Sequence, residues 1–338
     1  MKKLIALILT LALLTLSIAA CNYGSDNKDD ETVIRIAYMS GPTGMGMAKL
    51  IHDNGGVDGN AKYQFVKYTD AAAAATDLKN GKLDMACIPT NAAAAQYNKF
   101  ENINVLALNC LNSLYVMTKT GVVIEDFSDL EGKTIYTIDN GTPAAILRYL
   151  LEESDVNATV KTSIGEGEDE KALTSPNDLA AKLIDGTIEI ALVPEPVATA
   201  APLKIASQGK SYTYTVAIDL TDAWAEISDS PVAMGCIVAR KDFVSEHKSV
   251  VDAFLAEYKS SIEFVSNPEN LELAAQYVVD AGVLDALPAA KKSLSNLGSA
   301  IAYSDGAEMK STLVAFYEAI GLNLVGGKLP DDEFYYEK

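Results

Sequence analysis

The sequence predicts an α/β protein of two similar lobes, each a mainly parallel sheet flanked by helices. Three observations predict it. Short apolar runs of strand length alternate with helical segments from residue 33 onward. One unit is written twice: GKLDMACIPTNAAAA from Gly81 and GTIEIALVPEPVATA from Gly186 agree in character from the glycine to the proline and then diverge. Residues 33–338 also exceed the length at which a single hydrophobic core usually suffices.

The elements follow in order. VIRIAYM (33–39) reads as a strand and SGPTGMG as the turn into a helix through Leu50 and Ile51. YQFVKY (63–68) is a strand, DAAAAATDLKNG a small-residue helix, and LDMACI (83–88) a continuous apolar run, as a strand buried on both faces requires. A helix over Ala92–Asn98, a strand over Ile103–Leu108 and the strand LYVMTK (114–119) complete this half. The grammar then restarts with KTIYTI (133–138), the helix AAILRYLLEES, the strand ATVKTSI, and SPNDLAAKLIDG, a helix with Ser175 as N-cap and Pro176 at N1. IEIALV repeats the buried strand, and YTYTVAIDL and PVAMGCIVARKDF add two more. In the C-terminal helices, Val250, Phe254, Tyr258 and Ile262 share one stripe, as do Met309, Leu313, Phe316, Tyr317 and Ile320. These helices have no strand partners of their own and are expected to return to the first lobe. The first lobe is then discontinuous, 33–121 plus 231–338, with 122–230 as the second, joined by two crossings near Gly121–Ser128 and Asp229–Pro231.

Residues 1–20 are expected to be an export signal: Lys2 and Lys3, an apolar run from Leu4 to Leu16, then small residues before Cys21. The apolar run is short for a membrane span. Residues 21–32 are polar and acidic, as a tether is. The formal charge of −19 argues against nucleic acid and against docking onto anionic lipid. Past Cys21, Cys87, Cys110 and Cys236 each sit in an apolar run without a CxxC pattern, which favours buried thiols and leaves a Cys110–Cys236 pair open. The two histidines, His52 and His247, fall on amphipathic segments, and no cluster has metal-ligand spacing, so no metal or cofactor is expected.

The order of these motifs resembles the solute-binding lipoproteins of bacterial ABC importers. The motifs are Ile18-Ala19-Ala20-Cys21 like a lipobox, a strand followed by GPTGMGMAKL, DLKNGKLDMACIPTNAAA, ALVPEPVAT and a terminal GGKLPDDEFYY. The resemblance spans essentially residues 21–338 and is nearest the branch that handles nitrate, sulfonates, taurine and thiamine-pyrimidine precursors. It implies a two-lobed clamp of the type II periplasmic-binding-protein kind and a small-molecule ligand held between the lobes. It further implies a lipid anchor at Cys21, a location on the outer face of the cell membrane, a membrane permease as partner, and a monomer. Enzymes of the menaquinone pathway and a yeast-type pyrimidine synthase share this fold and are the alternative, as is a ligand-sensing lipoprotein. The cysteine cluster of that synthase is missing here, and an export signal does not suit cytoplasmic enzymes.

In open α/β sheets, ligands bind beyond the carboxyl ends of strands. Four loops qualify: Ser40–Gly46, Pro89–Asn91, Asn140–Pro143 and Pro194–Pro196. The first offers Ser40, Thr43, Gly44, Met45 and Gly46, the glycines allowing backbone N–H groups to approach a ligand. Met47 stands where a phosphate-loop lysine would follow Gly46. Met45 and Met47 either line an apolar pocket or join the core. Thr90 and Asn91, and Asn140, Gly141 and Thr142, are ligand contacts or helix caps. Glu195 is a helix-start charge or the acceptor for a ligand amine. Lys and Arg are absent from all four loops, which disfavours a doubly charged anion.

Overall fold

Both copies of the repeated segment become the central strand of a sheet. The structure, a computed structural model, describes residues 32–138, 141–165 and 167–338. The expected signal, Cys21 and almost all of the tether lie outside the described residues, as does Asn140. The strands are β1 (Ile34–Met39), β2 (Tyr63–Tyr68), β3 (Met85–Pro89), β4 (Ile103–Leu111), β5 (Leu114–Lys119), β6 (Thr134–Tyr136), β7 (Thr159–Lys161), β8 (Ser163–Ile164), β9 (Lys171–Ala172), β10 (Ile190–Pro194), β11 (Tyr214–Asp219) and β12 (Ala233–Arg240). The helices are α1 (Pro42–Met45), α2 (Ala48–Asp53), α3 (Ala71–Lys79), α4 (Thr90–Phe100), α5 (Thr142–Glu153), α6 (Pro176–Asp185) and α7 (Val197–Ser207). They continue as α8 (Leu220–Ala225), α9 (Lys241–Glu246), α10 (Lys248–Ser266), α11 (Leu271–Asp280), α12 (Leu287–Leu297) and α13 (Gly306–Ile320).

One sheet has the order β2-β1-β3-β12-β4 and the other β11-β5-β10-β6-β7, so β3 and β10 hold equivalent places. In each, a single strand opposes the rest: β12 lies antiparallel to β3 and β4, and β5 antiparallel to β10 and β11. Four of the five strands in each sheet thus run the same way, as a mainly parallel sheet requires, and the one reversed strand makes each sheet mixed. The reversed strand is in both cases the first one laid down after the chain changes lobe.

That geometry corrects a boundary. β5 pairs along its length with β10 in the second sheet, so the first crossing is Asn112–Ser113 and not the stretch near Gly121. Asn112 takes a positive φ of 38°, which asparagine tolerates better than most residues. The two crossings are tied together: the Asn112 N–H donates to the Val232 carbonyl at 3.0 Å and the Val232 N–H to Asn112 Oδ1 at 2.8 Å.

Three apolar layers surround the sheets. One lies under α2, α10, α11 and α12 against the first sheet. A second lies under α6 and α7 against the second sheet. The third is shared: Met309, Leu313, Phe316 and Tyr317 of α13 join Ile88 and Val105 on one side and Ile146, Leu150 and Trp224 on the other. The Trp224 ring sits 5.4 Å from Tyr149 of α5 and 6.2 Å from Phe316 of α13. The C-terminal helices thus pack on the first sheet, and α13 also packs on the second lobe.

Local signals were sound where side chains set them. The Ser175 hydroxyl caps α6 by accepting from the Asp178 N–H at 3.2 Å, with Pro176 in the first turn. Cys87, Cys110 and Cys236 are buried and free, and Cys110 lies across from Gly235 in the β4–β12 ladder while Cys236 faces Leu108. Burial pushes the thiols of Cys87 and Cys110 up to about 12.

Candidate functional site

The strand ends of both sheets place the four candidate loops together. β1 and β3 deliver Ser40 and Thr90 from the first lobe; β6 and β10 deliver Gly141 and Glu195 from the second.

After β1 the chain turns at Gly41, whose φ of 90° suits glycine. The N–H groups of Gly44 and Met45 both donate to the Gly41 carbonyl, at 3.0 and 3.1 Å, so they close the turn and do not point to a ligand. Gly44 and Gly46 serve packing. A Cβ on Gly44 would lie 1.8 Å from the Met39 carbonyl oxygen, and one on Gly46 would lie 2.7 Å from Ile262 of α10. Gly235 of β12 has the same role from below, since its Cβ would fall 2.2 Å from the Thr43 methyl. Met45 and Met47 are both fully buried in the core of the first lobe, which resolves the alternative left open for them. The rest of this loop at the lobe boundary is Ser40, which is exposed, the buried Gly41 and the half-buried Thr43.

Thr90 is fully buried and neither caps α4 nor faces open space. Its hydroxyl donates to the Ala233 carbonyl at 2.5 Å, and its own carbonyl accepts from Tyr317 of α13 at 2.9 Å. It ties the start of α4 to β12 and α13. Asn91 is half-buried, and its amide nitrogen lies 3.5 Å from where a Gly141 Cβ would be, across the boundary between lobes. Gly141 itself forms the N-cap of α5 with φ 94°, so Thr142 falls inside the helix at N1, buried, with Pro143 behind it. The expected Thr142 cap is therefore replaced by a backbone turn.

Glu195 is 2% exposed, and the Glu195–Pro196 peptide is cis. Its N–H donates to the Ser113 carbonyl of the first crossing. Its carboxylate accepts three hydrogen bonds from neutral donors. Thr199 Oγ1 of α7 donates to Oε1 at 2.9 Å, Asn296 Nδ2 of α12 to Oε1 at 2.8 Å, and Ser293 Oγ of α12 to Oε2 at 2.9 Å. Nearby, Tyr115 of β5 donates its hydroxyl to the Asn296 carbonyl at 3.3 Å. Burial chiefly, and then the carboxylates of Asp219 and Glu195, push the Tyr115 phenol up. The backbone of this loop meets the other lobe: a Gly41 Cβ would lie 3.4 Å from Pro196 Cδ and 3.7 Å from the Glu195 carbonyl oxygen.

The loops thus meet as two cross-lobe pairs, Gly41 with Glu195–Pro196 and Asn91 with Gly141. Ser293, Asn296, Thr199 and Tyr115 escaped sequence reasoning. The signal for two of them was present, since Ser293 and Asn296 are three apart on one face of α12. Among the described residues, no group of three or more His, Cys, Asp or Glu side chains could hold a metal ion.

Comparison with known proteins agrees with this architecture. Solved structures share the fold across nearly the whole chain. An ABC transporter protein from Parabacteroides distasonis aligns with a TM-score of 0.72 at 21% identity, covering 91% of this chain and 99% of that one. The periplasmic aliphatic sulphonate binding protein SsuA from Escherichia coli gives 0.66 at 15% identity, covering 90% and 92%. The ligand-binding component of an ABC-type import system from Staphylococcus aureus, with zinc bound, gives 0.65 at 17% identity, covering 90% and 96%. No curated protein sequence matches the chain. The NMT1/THI5-like family model matches residues 56–271, well over half the sequence, and the chain belongs to the NMT1/THI5-like family.

Proposed function

We propose that this protein is the extracytoplasmic solute-binding component of an ABC-type importer, capturing a small organic molecule between its lobes and delivering it to a membrane permease. The observation that carries the reading is the meeting of four strand-end loops as two cross-lobe pairs, reached by two chain crossings that can act as a hinge. Ser40, Gly41, Thr43, Asn91, Gly141 and the backbone of Glu195–Pro196 are the groups this reading places against the solute. The loops contain no Lys or Arg, and the N–H groups of Gly44 and Met45 are used within their own turn. A neutral or weakly charged organic solute therefore suits the cleft better than a sulfonate or nitrate. Glu195 and Asn91 do not pair with each other: the carboxylate bonds to α7 and α12 while the amide lies beside Gly141.

The test is native mass spectrometry of residues 22–338 against sulfonates, amino-pyrimidines and short peptides, followed by small-angle scattering with any solute that binds. A stoichiometric complex with a smaller radius of gyration is expected. An unchanged radius at saturation would show a rigid scaffold with another role.

The same reading assigns residues 1–20 to export and Cys21 to lipidation, with the mature chain a monomer on the outer face of the membrane. Acyl chains contribute about 0.8 kcal/mol per buried CH₂, so two or more hold a folded domain firmly. Cys21→Ser is expected to leave a folded protein that is released or retained as precursor. Processed Cys21→Ser protein that still partitions into detergent would count against the anchor.

A further inference from the structure

We infer that Glu195 is a positioning residue: with Thr199, Ser293 and Asn296 it forms a polar lock that holds the two lobes together, and it can do so without any solute. The lock spans the boundary. Glu195 and Thr199 belong to the loop and helix that follow β10 in the second sheet. Ser293 and Asn296 sit on α12, whose Ala290, Leu294 and Leu297 are embedded in the core of the first lobe. Asn296 Nδ2 lies 2.8 Å from Glu195 Oε1 and 3.0 Å from Thr199 Oγ1, so one amide reaches both second-lobe partners.

The chemistry makes this contact reversible. Every donor to the carboxylate is neutral, so the charge is removed from water without a counter-ion. Such a group loses much of its hydration energy on burial, and three charge-assisted hydrogen bonds, stronger than neutral ones, offset that loss by a small margin. The bonded and hydrated states are therefore close in free energy, and separating the lobes returns the carboxylate to water. The opposite seam differs. There Phe316 of α13 meets Trp224 in an apolar layer continuous through both lobes, and opening it would expose hydrocarbon with no compensating hydration. Movement should thus part the Glu195 side and pivot on the Trp224 side. The crossings, tied by Asn112 and Val232, lie between the two sheets.

Glu195 thereby serves the protein's own closure and not a solute amine, and closure can be read without any solute. Spin labels at Lys204→Cys on α7 and Lys292→Cys on α12, both exposed positions, report the width of this seam in a Cys21→Ser background. The ligand-free parent should show one short distance. Glu195→Ala, and separately the pair Ser293→Ala with Asn296→Ala, should each add a longer distance, the closed-to-open ratio falling tenfold or more. Glu195→Gln, which keeps the shape and some of the bonds, should lie between. If Glu195→Ala does not fold, the α12 pair leaves the second lobe untouched and still decides the matter. A parent that is already open, or wild-type distances in both Glu195→Ala and the α12 pair, would overturn the lock. Neither outcome depends on whether the solute panel yields a ligand.

Discussion

Trp224→Ala is expected to destabilise the protein by about 3–5 kcal/mol, the cost of emptying a large aromatic from a packed core. Trp224 is 2% exposed, packs between a tilted Tyr149 ring and an edge-on Phe316 ring, and donates its indole N–H to the Ser230 carbonyl at 2.6 Å. Removing it opens a cavity in the apolar layer that both lobes share and takes away one donor to the Ser230 carbonyl, which keeps the Ser228 hydroxyl at 3.2 Å. Trp224→Phe should cost less, because most of the ring is kept and one hydrogen bond of about 1 kcal/mol is lost. Urea titrations followed by circular dichroism measure both, and do not rely on the chain's only tryptophan as the probe. A loss below 1 kcal/mol for Trp224→Ala would mean that the two lobes are stabilised independently.

Asp84→Ala is expected to cost about 3 kcal/mol. Its carboxylate is 3% exposed and accepts from the Arg35 backbone N–H at 2.9 Å, from Arg35 Nε at 2.8 Å and from Nη2 at 2.6 Å. Arg240 Nη2 stands 3.9 Å away. Breaking a buried pair leaves the partner uncompensated, but the Arg35 side chain is 35% exposed and can rehydrate, which sets the value at the low end for such pairs. The repeat supplies a control. Glu189 occupies the matching place in the second copy and is exposed, so Glu189→Ala should stay within about 0.5 kcal/mol of wild type. Equal losses at the two sites would contradict the burial difference.

How far the sequence could be read is clear from particular residues. β3 and β10 were legible because four-residue apolar runs, 85–88 and 190–193, each follow a glycine turn and end at a proline, which leaves few alternatives. The first crossing was hidden. β4 and β5 form one almost unbroken apolar stretch, and only Asn112 and Ser113, with no glycine or proline, mark the change of sheet. The reversed direction of β5 and β12 has no local signature at all, since pairing partners far along the chain determine it.

In the site, loop positions were legible and side-chain roles were less so. Gly44 and Gly46 suggested ligand access, yet the space their missing side chains leave is filled by Met39 and Ile262. Thr90 and Thr142 suggested caps, whereas Pro89 and Gly141 occupy the cap positions and both threonines are buried. Glu195 stood out as an acid at a helix start. Its partners on α12 lie about a hundred positions away, and no periodicity connects them.

The order of the strands bears on how the chain matures as it emerges from its N-terminus. All five strands of the second sheet fall within residues 114–219, so that sheet can be completed from consecutive chain. The first sheet cannot. β12 sits between β3 and β4, and until residues 233–240 arrive those two strands are bare edges of the kind that invite mispairing. Its core waits longer still, for α10 to α13 and for Tyr336, whose N–H bonds the Val105 carbonyl of β4. The lobe begun first is the one finished last.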